Sequence, residues 1–170
     1  MITALILSDD KDLVAIVGLF LGVAGFECVS SDDTDQALAQ LRDGSIDLLV
    51  IFSRLPGGKH WAGIYDLMKT DHRLRDIGVI LLWASSGVPH KDIYAEGDAF
   101  IGVPFPGEDL PRIVARVLAH RGKQMPPAKE LTDNFTRNRA RLEKETGYSG
   151  RDLVKLHGDL LQKAGYTAEG

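Results

Sequence analysis

A single cysteine, Cys28, is all the thiol chemistry that this chain of 170 residues possesses. An internal disulfide is therefore excluded. With no Cys/His cluster at metal-ligand spacing, neither a zinc site nor a redox pair is expected, and a reducing, cytoplasmic setting follows. A transmembrane run is also missing. The apolar stretch LVAIVGLFLGVAGF at 13–26 would cover about 21 Å as a helix, short of the roughly 30 Å hydrocarbon core. Asp9, Asp10, Asp12 and Glu27 bracket it, so it reads as a buried helix rather than a membrane span. The N-terminal residues lack the basic start and small-residue cleavage site of a secretory signal, and none is expected. What the chain does have is 44% hydrophobic and 26% charged residues, the make-up of a globular protein with a full core.

Charge is divided unevenly. Residues 1–120 carry ten basic and seventeen acidic side chains, and residues 121–170 carry ten basic and seven acidic. The change of sign suggests two units with different surfaces. Between them, RGKQMPPAK at 121–129 is polar and proline-bearing, as a linker is. The expected division is a first domain over 1–121, a linker over 122–128 and a helical extension over 129–170.

Apolar runs and helical spacing alternate through the first unit. TALILS (3–8), FECVS (26–30), DLLVIF (47–52), GVILLW (78–83) and AFIGV (99–103) read as strands. DLLVIF and GVILLW are apolar almost throughout, as in a parallel strand covered on both faces. Helices are expected over 11–24, from Asp33 or Thr34 to Gly44, over 59–70, over 89–96 and over 107–120. Five strands alternating with five helices give an α/β fold, a doubly wound parallel sheet whose site lies at the carboxyl ends of its strands. Two more helices follow, the second opened by Ser149 with Asp152 three residues on, and together they read as a hairpin.

The first 120 residues resemble the receiver domain of two-component response regulators. Asp9 and Asp10 follow the first strand as the family's acid pair does. DLLVIFSRLPG matches the third strand and its loop, down to Leu55, Pro56 and Gly57. VPF at 103–105 stands where the family has lysine, proline and phenylalanine, and Phe100 falls at the aromatic that rotates on switching. The resemblance implies a flavodoxin-like five-stranded sheet. It also implies a phosphorylation pocket made of the acid pair, an acceptor aspartate, a hydroxyl residue and a lysine.

At the matching positions the chain keeps Asp9 and Asp10 but has Phe52 for the acceptor, Trp83 for the hydroxyl residue and Val103 for the lysine. A phenyl ring has no nucleophilic oxygen. Mg²⁺ seeks oxygen ligands and binds through carboxylates and phosphates, and here one carboxylate and the phosphate are both missing. A phosphoryl group beside Phe52, Trp83 and Val103 would be unpaired and poorly solvated. The expectation is a degenerate form, a pseudo-receiver, with no catalysis, no metal and no cofactor.

The 11–24 helix carries apolar residues on both sides. Val14, Val17, Phe20, Leu21 and Ala24 are expected against the sheet. Ala15, Ile16, Leu19, Gly22 and Val23 form an outward face without charge, and such a face marks an interface. A second subunit is favoured slightly over the chain's own tail to cover it. The function this supports is a phosphorylation-independent regulatory adaptor in bacterial signalling, acting through protein partners and as a homodimer. Two alternatives stay open: a DNA-binding transcription regulator whose short helical output uses Arg137, Arg139 and Arg141 with Asn134 and Asn138, and a sensor of a small ligand.

Overall fold

Hydrophobic alternation becomes two packed faces of one sheet. The computed structural model describes residues 1–58, 60–83, 98–103 and 105–166. Its strands are β1 (Thr3–Leu7), β2 (Glu27–Ser31), β3 (Leu48–Phe52), β4 (Gly78–Trp83) and β5 (Ala99–Gly102), and its helices are α1 (Lys11–Ala24), α2 (Thr34–Arg42), α3 (Trp61–Thr70), α4 (Leu110–His120), α5 (Ala128–Thr146) and α6 (Gly150–Lys163). All strand pairs are parallel, in the order β2-β1-β3-β4-β5. This is the flavodoxin-like doubly wound arrangement. The helix expected over 89–96, together with Ser85, Ser86 and His90, lies outside the described residues.

Two clusters divide the core between the faces. Ala4, Ile6, Leu48, Val50, Phe52, Ile80 and Leu82 point to the side of α1 and α4. Leu5, Leu7, Leu49, Ile51, Val79 and Leu81 point to the side of α2 and α3. Every residue of β3 is buried, as befits the central strand of a sheet covered on both faces. Local signals set the helix ends. Asp33 accepts from the Asp35 and Gln36 amides to cap α2, and Ser149 Oγ accepts from the Asp152 amide at 3.1 Å to cap α6. Trp61, Ile64, Tyr65 and Met68 are the buried residues of α3.

The hairpin is not a separate body. Leu131, Phe135, Leu142, Leu153 and Leu160 are buried in the same cluster as Val17, Leu21 and Val23 of α1. Gly25 ends α1 at φ 104°, a conformation glycine adopts freely. A side chain there would also collide with the Leu131 carbonyl, so the bare backbone lets α5 approach. Among the described residues no helix is long and apolar enough to cross a membrane.

Candidate functional site

The carboxyl ends of the strands hold the five positions that the receiver resemblance singles out, and the fold scatters them. Asp10 caps α1, its Oδ1 accepting from the Asp12 amide at 3.0 Å and the Leu13 amide at 3.2 Å. Its own amide donates to Ser8 Oγ at 3.0 Å. An acid at a helix N-terminus is favoured by the orphan amides and the dipole, so this carboxylate is already occupied. Asp9 is exposed and lines an open hollow of about 430 Å³ with Lys11, Ser30, Ser31, Asp32 and Gln36. Neither Phe52, Trp83 nor Val103 borders that hollow.

The three apolar replacements do not share one face. Phe52 is 4% exposed and belongs to the α1 side, where Val103 also packs. Trp83 packs on the opposite side, edge-on to Trp61 at 6.2 Å and tilted against Phe100 at 5.5 Å. The side chains of β3 and β4 alternate, and the register that pairs Phe52 with Leu82 sends Trp83 the other way. Each ring packs against apolar neighbours on its own side of the sheet, and the two do not share a face. No group of three or more His, Cys, Asp or Glu side chains able to hold a metal occurs among the described residues. Chemically, residue 52 offers no oxygen for an acyl phosphate, and no lysine stands at residue 103.

A second functional region is the seam between α1 and the hairpin. Of the expected interface residues, Gly22 and Val23 are buried, Leu19 is half-buried, and Ala15 and Ile16 are exposed. The tail, not a second subunit, covers the buried end. A side chain at Gly22 would press on Leu142. His157 Nδ1 meets the Val23 carbonyl at 2.6 Å and its Nε2 meets Thr132 Oγ1 at 3.0 Å. Its ring stacks on Phe135 with centroids 4.5 Å apart. Asn134 Nδ2 donates to the Gly25 carbonyl at 2.8 Å. These bonds satisfy carbonyls that the end of α1 leaves unpaired. Burial depresses the His157 pKa, and the bond to the Val23 carbonyl opposes that shift.

Asn134 is thus corrected. It is 1% exposed and faces the first domain, not a nucleic acid. The basic residues of α5 are also largely matched on their own helix: Lys129 with Asp133 at 2.8 Å, Arg139 with Glu143 at 3.7 Å and Arg141 with Glu145 at 3.2 Å.

Sequence reasoning missed a buried ionic cluster at the opposite end of the sheet. Asp98 is fully buried and accepts from the Tyr65 hydroxyl at 2.7 Å and the Val79 amide at 2.9 Å. Lys69 and Arg121 each reach it at 2.5 Å, and Arg121 also donates to the Arg75 carbonyl at 3.1 Å. The cluster ties α3, β4, β5 and the end of α4 together.

Half-buried Cys28 completes the inventory. Burial, then the neighbouring Glu27, push its thiol up to about 12, so it is a wall and not a nucleophile.

Known proteins place this geometry. No family model matches the chain. It is 29% identical over 122 residues to the phosphate regulon transcriptional regulatory protein PhoB of Pseudomonas aeruginosa, an alignment that takes in 71% of this chain and 53% of that protein. It is 30% identical over 128 residues to PhoB of Escherichia coli, covering 74% and 54%. The chain therefore spans about half the length of the curated relatives it matches. Among solved structures, the chemotaxis response regulator CheY4 of Vibrio cholerae superposes with a TM-score of 0.60 at 21% identity, over 69% of this chain and 99% of that one. The fold of the first domain is that of receiver domains.

Proposed function

We propose that the chain is a receiver-fold regulatory module that signals by protein–protein contact and without phosphoryl transfer. The observation that carries this is the set Phe52, Trp83 and Val103 at the strand ends, together with an Asp10 carboxylate committed to capping α1. The likeness to PhoB and to CheY4 supports a role in response-regulator signalling. The fixed apolar packing of Phe52 supports a single conformation in place of a phosphorylation-driven switch. On this reading the chain is not an enzyme, and it needs neither metal nor cofactor.

The naming of PhoB as a transcriptional regulator keeps DNA binding as a second reading. The matched charges on α5 and the burial of Asn134 weigh against the hairpin as its instrument. The α1–hairpin seam weighs against a first-helix homodimer, because part of that face is already covered.

The test is melting and sedimentation with and without Mg²⁺ and beryllofluoride. Neither quantity should change. A stabilising shift that requires both additives would show that an acyl-phosphate mimic still binds, and would overturn the proposal.

A further inference from the structure

The outer edge of β2 is an unpaired strand edge beside a groove. The Glu27 amide donates to the Ile2 carbonyl at 3.1 Å, and the Ser31 carbonyl accepts from the Ser8 amide at 3.0 Å. Residues 27, 29 and 31 therefore turn their backbone groups toward β1, as the register requires. Cys28 and Ser30, between them, turn theirs outward. Among the described residues β2 stands at the end of the sheet with β1 as its only strand neighbour, so there these two amides and two carbonyls have no strand partner.

The edge is short and carries one charge, Glu27, but neither of the stronger blocks. Within Glu27–Ser31 there is no proline and no lysine, and Val29 at its centre is 38% exposed. Beside this edge, on the α1 side of the sheet, lies a groove of about 430 Å³. Its lining comes from alternate β2 residues, Cys28 and Ser30, from Ile16 and Leu19 of α1, and from Leu142 of α5 with Tyr148 just beyond it. The exposed Arg141–Glu145 pair stands at its rim. The volume is within the range of pockets that seat ligands, about 300–1,000 Å³.

We propose that this edge and groove take an extended segment of a partner protein, which adds to β2 as a sixth strand. Its backbone pairs with Cys28 and Ser30, and its apolar side chains, two residues apart, descend into the groove. A second copy of the chain is the weaker occupant. Two folded sheets meeting only through five-residue edges would bury far less than the roughly 1,200–2,000 Å² of a stable dimer, whereas an extended segment can also fill the groove. A second sheet edge would also bring its own α5 against this one. The proposal gives the adaptor reading a surface, but its test is independent of phosphoryl chemistry.

The experiment selects a displayed library of short random peptides on the wild-type chain and counter-selects on Ser30→Pro. Proline at residue 30 removes an outward N–H while leaving the bonds to β1 in place, a setting in which an edge strand tolerates it. Ile16→Glu, at an exposed position, is the second variant. Melting curves of both should match the parent. The enriched peptides should alternate apolar and polar residues. Ser30→Pro and Ile16→Glu should each weaken a synthesised binder by about tenfold. Hydrogen exchange should find the Cys28 and Ser30 amides fast in the free chain and protected by the peptide. The proposal is overturned if no alternating peptide is enriched, or if the binders hold equally to Ser30→Pro. It is overturned too if those two amides are already protected in a free chain that sediments as a dimer.

Discussion

The two ends of the sheet treat charge in opposite ways. At the carboxyl ends of the strands, where a receiver would gather acids and a lysine, the chain has Phe52, Trp83 and Val103, and its surviving acids are a helix cap and an exposed Asp9. At the other end, a fully buried Asp98 gathers Lys69, Arg121 and Tyr65. Among the described residues, the buried ionic cluster braces the amino end of the sheet, while apolar side chains stand at the carboxyl end. Charge burial is costly unless fully paired, so the comparison implies that structural cohesion, not chemistry, is what retains it here.

Removing Asp98 breaks this comparison most directly. Asp98→Ala removes the buried carboxylate that both Lys69 and Arg121 reach, and breaking a buried pair from one side costs about 3–5 kcal/mol. Denaturant unfolding should show that loss, and a change below about 1 kcal/mol would mean that Asp98 is as incidental as Asp9. Next in size is the hairpin. Leu160 is fully buried in the α1-side core, so Leu160→Ala should cost about 2–5 kcal/mol. One cooperative transition should move as a whole. A separate transition for the tail, with the sheet unaffected, would show two independent units.

At the carboxyl end, Trp83→Thr restores a hydroxyl residue but removes an indole packed on Trp61 and Phe100. Trp83 is only partly buried, so the loss should be about 2 kcal/mol, under the 3–5 of a fully enclosed ring. No loss would place the indole in water. The smallest effect concerns pH. The folded state holds the His157 pKa below its ordinary 6.5, so as pH falls through that value the unfolded chain takes up the proton first. The contribution of His157 is therefore present above about 6.5 and lost progressively below it. Stability followed across this window should fall with acid in the parent and fall less in His157→Gln. An equal slope in both would assign the acid sensitivity elsewhere.

Much of the fold was legible because its signals are local. Apolar runs such as GVILLW, the caps at Asp33 and Ser149, and the glycine that ends α5 all act within a few residues. Spacing from Pro56 and Phe105 assigned Phe52, Trp83 and Val103, and the structure puts the first two at the ends of β3 and β4 and the third just past β5. What could not be read depends on distant partners. Asp98 next to a glycine looks like a turn residue until Lys69 and Arg121 are brought beside it. His157 and Asn134 look like polar surface until the hairpin lies on α1 and they meet the Val23 and Gly25 carbonyls. The first-helix face was recognised as uncharged, but which body covers it is a question of chain path. The answer divided the face, with Gly22 and Val23 under the tail and Ile16 48% exposed.

The central claim is that the carboxyl end of the sheet has lost phosphoryl chemistry. Intact-mass spectrometry after incubation with acetyl phosphate and Mg²⁺ tests it most directly, run beside a receiver known to accept phosphate from that donor. The account predicts an unchanged mass for this chain while the control gains a phosphoryl group. A gain of one phosphoryl group, labile to hydroxylamine and mapped to Asp9 or Asp10, would contradict it.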